Sequence, residues 1–199
     1  MLKKIAIATI LGGLSSVALA DGLTVKVGAS ILDITGKSTL APGVNNAAAS
    51  DEINFTPAIE YRFAGTPFSA EVLLATPFKH AVTADGLGEI ASVKHLPPTI
   101  TAKYNLDLSE RLTAYVGAGV TVFVPWDEES PLGDLEADVA VGPAAQLGFN
   151  YKPDTAGKWG VYVDVRYADL KTDLKLNGAE LNSLDLDPLV YSLGYSYNF

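Results

Sequence analysis

The sequence predicts an all-β protein, an eight-stranded antiparallel up-and-down transmembrane β-barrel preceded by a cleaved signal peptide. Three observations predict it. Beyond residue 20, apolar and polar residues alternate with period 2 in eight segments, and the 3.6-residue period of a helix is nearly absent. No charge falls on the apolar face of any of these segments. The connections between them alternate long and short, as in barrels with long outer loops and short periplasmic turns.

Residues 1–20 read as the signal peptide and 21–199 as the barrel. Lys3 and Lys4 make a basic start, Ile5 to Leu14 an apolar stretch, and Ala18-Leu19-Ala20 a small-x-small cleavage site before Asp21. No later segment offers the roughly 18 uninterrupted apolar residues of a membrane-spanning helix, so strands must do the spanning. Loss of Lys3 and Lys4 would take the formal charge from -9 to -11. An acidic chain without a basic run is a poor nucleic-acid partner. The chain contains no cysteine, which removes disulfides and thiolate chemistry.

Successive side chains of a strand point to opposite faces, so each segment divides into two sets. The first sets Leu23, Val25, Val27, Ala29 and Ile31 against Thr24, Lys26, Gly28 and Ser30. The second sets Ile53, Phe55, Pro57, Ile59, Tyr61 and Phe63 against Asn54, Thr56, Ala58, Glu60 and Arg62. In the third, Phe68, Ala70, Val72, Leu74 and Phe78 oppose Ser69, Glu71, Leu73, Ala75 and Lys79. The fourth places Leu96, Pro98, Ile100, Ala102 and Tyr104 opposite His95, Pro97, Thr99, Thr101, Lys103 and Asn105. The fifth alternates from Leu112 to Val124 with Tyr115 and Phe123 on the polar side, and the sixth from Val139 to Tyr151 with Gln146 on that side. The seventh opposes Trp159, Val161, Val163, Val165 and Tyr167 to Gly160, Tyr162, Asp164, Arg166 and Ala168. The eighth opposes Leu189, Tyr191, Leu193, Tyr195, Tyr197 and Phe199 to Val190, Ser192, Gly194, Ser196 and Asn198.

A soluble barrel with apolar side chains inside would alternate in the same way. Four features favour the inverse, with the apolar face in lipid. The segments are about 10–14 residues, long enough at about 3.3 Å each to cross a hydrocarbon layer at a steep tilt. Long or polar gaps are expected near 33–52, 81–92, 125–138 and 177–183, and tight turns near 64–67, 106–110 and 152–158. Aromatic residues gather at both strand ends, with Phe63, Phe68, Tyr104, Phe149, Tyr151, Trp159 and Phe199 at one and Phe55, Phe78, Trp126, Tyr167 and Tyr191 at the other, as expected at the two headgroup levels. The polar face is rich in small residues, which suit the narrow interior of eight strands. Strand edges open to lipid would strand backbone donors, so the last strand is expected to pair with the first.

Several stretches resemble the OmpW family of outer-membrane proteins: Leu74-Ala75-Thr76-Pro77-Phe78-Lys79-His80, Lys94-His95-Leu96-Pro97-Pro98-Thr99, Tyr115-Val116-Gly117-Ala118-Gly119-Val120, Asp164-Val165-Arg166-Tyr167 and Asp187-Pro188-Leu189-Val190-Tyr191. The likeness covers essentially the whole of 21–199 in order. It departs in the short Asp21-Gly22 lead and in Val124-Pro125-Trp126-Asp127, where relatives tend to carry a double Phe before the acid. The resemblance implies an eight-stranded barrel of the bacterial outer membrane that helps small hydrophobic molecules cross, entering from outside and leaving sideways through the wall. Leu193, Tyr195, Tyr197 and Phe199 also look like the signal read by the barrel-assembly machinery. Lipid, lipopolysaccharide and small hydrophobic substrates are the expected partners.

Three residue sets then become candidates. Pro77, Pro97 and Pro98 lie near the outer ends of neighbouring strands, where missing ladder donors would weaken one seam; the alternative is that they only end strands or shape a bulge. Lys26, Glu60, Arg62, Glu71, Lys103, Asp164 and Arg166 form a nearly balanced luminal set, expected to be a salt-bridged plug rather than an ion path. Leu32, Leu73, Tyr115, Phe123 and Tyr162 break the polar rule of the lumen and are expected to line a greasy pocket or to serve as packing. His80 and His95 could begin a metal site, but Lys79 and Lys94 beside them oppose a cation, and no metal or cofactor is expected. The acidic residues Asp127, Glu128, Glu129, Asp134, Glu136 and Asp138 read as a solvated loop, the alternative being attraction of divalent or lipopolysaccharide-bound cations. No catalytic motif is present, so no enzymatic role is expected. The rival to transport is a structural or interaction barrel whose loops bind phage, bacteriocin or host surfaces.

Overall fold

The computed structural model describes residues 22–199, and the expected signal peptide lies outside them. The chain forms β1 (Leu23–Ile34), β2 (Glu52–Phe55 and Ala58–Arg62), β3 (Phe68–Leu73 and Phe78–Ala84), β4 (Gly88–Leu96 and Thr99–Asp107), β5 (Leu112–Glu129), β6 (Ala140–Tyr151), β7 (Trp159–Ala168) and β8 (Pro188–Asn198). Each strand pairs antiparallel with the next. β1 pairs with β8 from Thr24↔Asn198 to Ile34↔Pro188. The sheet is therefore closed, with no edge left to lipid.

Burial decides which face is inside. Leu193 and Tyr195 are each 62% exposed, whereas Lys26 and Lys103 are each 1% exposed. A soluble protein places its apolar side chains the other way, so this surface is built for hydrocarbon. Phe63, Phe68, Tyr104, Tyr151 and Trp159 ring the end with the short turns, and Phe55, Tyr167 and Tyr191 lie toward the long loops. Edge-to-face pairs such as Phe68–Tyr104, with centroids 5.5 Å apart, tie the lower ring across strands.

β3 departs from the expected alternation. Between the pairs Leu73↔Thr99 and Phe78↔His95 it carries four residues, Leu74 to Pro77, where β4 carries three, Leu96 to Pro98. One extra residue on one strand reverses the faces beyond it. Phe78 is consequently buried in the lumen, and Lys79 points outward. Sequence periodicity had placed these two the other way, with Phe78 in the outer aromatic band.

The loops differ from expectation too. The gap near 81–92 is a hairpin, with β3 running to Ala84 and β4 starting at Gly88. Gly86 and Gly88 supply the turn with φ of 73° and 72°, where a side chain would be strained. β5 continues to Glu129 because its outer half pairs with β4, as in Leu96↔Val124 and Lys94↔Trp126. The remaining outer loops carry short ladders. Ala48–Ala49 pairs onto β3, Leu135–Ala137 joins Leu174–Leu176 and Ala179–Glu180, and Lys171–Thr172 pairs with Leu184–Asp185. Alternation explains these segments: Leu170, Thr172, Leu174, Leu184 and Leu186 turn inward between charged or polar neighbours and are buried. Together they roof the outer end of the barrel.

Candidate functional site

A charged layer crosses the lumen at mid-height. Lys26 of β1 meets Glu71 of β3 at 2.7 Å and Glu60 of β2 at 2.8 Å. Lys103 of β4 meets the same two carboxylates at 2.8 and 2.9 Å. Arg166 of β7 donates from Nη2 to Glu71 at 2.8 Å and from Nε to Gln146 Oε1 of β6 at 3.0 Å. Asp164 accepts from Tyr115 Oη of β5 at 3.2 Å. Strands β1 to β7 thus all contribute. Lys26, Lys103 and Arg166 balance Glu60, Glu71 and Asp164, and each is buried. Buried charges are tolerable only when paired and hydrogen-bonded in this way.

Two of the expected placements are corrected here. Arg62 takes no part in the layer. It pairs with Asp107 at 2.8 Å at the end with the short turns, half exposed. It shares the luminal face with Glu60 but sits one step nearer the barrel end, which alternation does not register. Tyr115 and Tyr162 belong to the charged layer and do not line the apolar pocket. The Lys103 ammonium lies 3.6 Å from the Tyr115 ring centre, and that of Lys26 5.3 Å from the Tyr162 ring centre. Both rings fit because glycines face them. A methyl built on Gly148 would lie 2.6 Å from Tyr115 Oη, and one on Gly28 would lie 2.5 Å from Tyr162 Oη. Gln146 is a member that sequence reasoning missed; its signal was a lone amide among the small luminal residues of β6.

Above the layer lies a narrow apolar pocket with about 50 Å³ of free space. Leu32, Leu73 and Phe123 line it, as expected from the sequence. So do Ile34, Phe78, Val82 and Val93 from the strands and Leu170, Leu174, Leu184 and Leu186 from the roof, which the sequence reading did not assign. Arg166, Thr56, Thr99 and Thr121 make its polar floor. His80 and His95 stack at 4.9 Å in its wall between Phe78 and Phe123. His80 Nδ1 is 2.5 Å from Ser50 O.

The wall of this pocket includes Ala75 and Pro97, where the β3–β4 ladder is interrupted. On its other side β3 stays tied to β2: Leu74 N–H donates to Pro57 O at 2.8 Å and Thr76 N–H to Phe55 O at 3.1 Å. The three prolines converge on this place but face different ways. Val122 N–H donates to Pro98 O at 2.9 Å, so the polar edge of Pro98 faces β5. Backbone polar edges alternate along a strand, which turns that of Pro97 toward β3. Pro77 O accepts from Asn54 Nδ2 at 2.9 Å and so faces β2. Pro97 thus removes a donor from the β3–β4 seam, and the extra residue in β3 adds to the interruption.

Leu193, Tyr195, Tyr197 and Phe199 lie along the outer face of β8, with Tyr197 and Phe199 edge-to-face at 4.8 Å.

Comparison with known proteins agrees with this architecture. The OmpW family model matches residues 17–199. Outer membrane protein W of Escherichia coli is 36% identical over 140 residues, which are 65% of this chain and 65% of that protein's length. Outer membrane protein AlkL of Ectopseudomonas oleovorans is 31% identical over 141 residues, 69% of this chain and 58% of its own. Among solved structures, OprG from Pseudomonas aeruginosa superposes with a TM-score of 0.76 at 25% identity, covering 90% of this chain and 96% of OprG. The solution structure of the E. coli protein gives 0.66 at 27% identity, covering 92% and 100%. A closed barrel with a lipid-facing apolar surface, a family match over nearly the whole chain and these relatives lead to one assignment: the chain is an outer-membrane β-barrel and belongs to the OmpW family.

Proposed function

We propose that this barrel carries small hydrophobic molecules passively across the outer membrane, taking them into the outer pocket and releasing them sideways between β3 and β4. The observation that carries the reading is the position of the pocket. Its floor is the buried charged layer, and its wall reaches Ala75 and Pro97 at the interrupted ladder. Straight passage would require opening six paired charges, whereas sideways passage needs only a seam already short of backbone bonds. The role is one of transport without covalent chemistry. The outer-face residues Leu193, Tyr195, Tyr197 and Phe199 serve as the segment offered to the barrel-assembly machinery, and the roof loops face lipopolysaccharide.

Deleting Thr76 tests the lateral route. The deletion leaves three residues of β3 opposite three of β4 and keeps both Leu73 and Phe78 facing inward. In proteoliposomes or whole cells it is expected to abolish most uptake of a hydrophobic probe while the barrel keeps its heat-modifiable gel mobility. Unchanged uptake by a folded deletion variant would overturn the lateral route.

A further inference from the structure

The pocket is not uniformly apolar. The Nε and Nη2 atoms of Arg166 are engaged with Gln146 and Glu71 in the charged layer. Nη1, at the corner turned away from that edge, is buried and meets no acceptor among the described residues. Arg166 itself is part of the pocket floor and only 3% exposed. Higher on the wall, His95 Nδ1 and His80 Nε2 are likewise buried without partners among the described residues. A guanidinium N–H left unpaired and buried beside an apolar pocket is costly, and an oxygen acceptor brought by a passenger that displaces the side chains covering it would satisfy it. The charge around it is already balanced, three cations against three anions. The site therefore offers a hydrogen bond without a net positive charge to neutralise an anion, and burying an anion there would cost more than the bond returns.

We infer that the pocket selects apolar molecules carrying one uncharged oxygen acceptor, such as a ketone, ester or alcohol, with that oxygen on Arg166 Nη1 and the hydrocarbon body against the leucines and Phe123 above. The inference rests on the transport reading and narrows its substrate class. A hydrogen bond to a charged donor is worth about tenfold or more in affinity.

The test is an NMR titration of the protein in lipid nanodiscs, with each probe expressed as its mole fraction in the lipid. The probes are octane, its methyl-ketone and alcohol analogues of equal chain length, and octanoate; the readout is the shift of the Phe123 and His95 resonances. The ketone and alcohol are expected to saturate the site at about one-tenth of the mole fraction octane needs, or less. Arg166→Met is expected to bring the ketone-to-octane ratio to about one. Because that variant leaves Glu71 short of a partner, Glu71→Gln with Arg166→Met, which keeps the layer balanced, gives the same comparison in a barrel spared the uncompensated charge. Equal binding of ketone and octane by the wild type, a ratio unchanged in the double variant, or a preference for octanoate would each overturn the inference while leaving the transport reading in place. Binding of none of the probes at the pocket resonances would overturn both.

Discussion

Replacing Glu71 by Gln is the sharpest perturbation of the charged layer. Its carboxylate is the hub, within 2.7 Å of Lys26, 2.9 Å of Lys103 and 2.8 Å of Arg166. Glutamine keeps the shape and removes one negative charge, leaving three cations opposite Glu60 and Asp164. Breaking a buried ion pair by removing one partner typically costs about 3–5 kcal/mol, because the other charge stays buried and uncompensated. Glu71→Gln should lose a stability in that range, a large share of the about 5–15 kcal/mol typical of folded proteins. Adding Lys26→Met restores the balance of charge. The double variant should then lose less than the two single losses combined, by about 1–3 kcal/mol. Urea unfolding in phospholipid vesicles, followed by gel mobility and tryptophan fluorescence, measures both. A loss below about 1 kcal/mol for Glu71→Gln, or strict additivity with Lys26→Met, would refute the view of this layer as a coupled, water-excluded network.

Other perturbations probe the lumen, the lipid face and the loops. Gly148→Ala should cost about 1–3 kcal/mol in the same unfolding assay, since its methyl would meet Tyr115 Oη at 2.6 Å and Val163 O at 2.5 Å; a neutral result would mean the Tyr115 ring is free to move. Leu193→Arg, on the 62% exposed lipid face, should cost about 2–4 kcal/mol in vesicles if it sits near the bilayer midplane. In the loops, Lys171 and then Ser38 hold the Asp185 carboxyl below its ordinary range through hydrogen bonds of 2.7 and 3.0 Å. A carboxylate with a lowered folded-state pKa stabilises above its unfolded pKa and loses that contribution as pH falls through the lowered value. Amide exchange at Gly36 and Ser38, whose backbone or side chain bonds the same loop, should therefore quicken relative to the intrinsic rate on acidification and not between neutral and mildly alkaline pH.

Much of this molecule can be read from its sequence because a lipid-facing strand tolerates no charge on one face, and that constraint marks the strands from residue to residue. The reading fails where the period itself breaks. Pro77 signals irregularity, but nothing local says that β3 carries one residue more than β4, and that count decides whether Phe78 or Lys79 faces the lumen. Height along the barrel is also invisible to alternation: Arg62 and Glu60 share a face, yet one reaches the rim and the other the charged layer. Tyr115 and Tyr162 were readable as luminal but not as members of that layer, because the glycines that admit them lie on other strands. The roof was missed for a different reason. Its leucines alternate with charges just as the strands do, but the segments are too short to announce pairing between loops far apart in sequence.

The central claim is that the passenger leaves sideways while the lumen stays shut. Its most direct test measures two quantities on the same reconstituted protein, the protein-dependent transfer of a hydrophobic probe and the ionic conductance across the bilayer. The balanced, salt-bridged layer predicts transfer that scales with protein and a conductance indistinguishable from protein-free membrane. Steady single-channel currents rising in step with probe transfer would contradict it, because the path would then run straight through the charges.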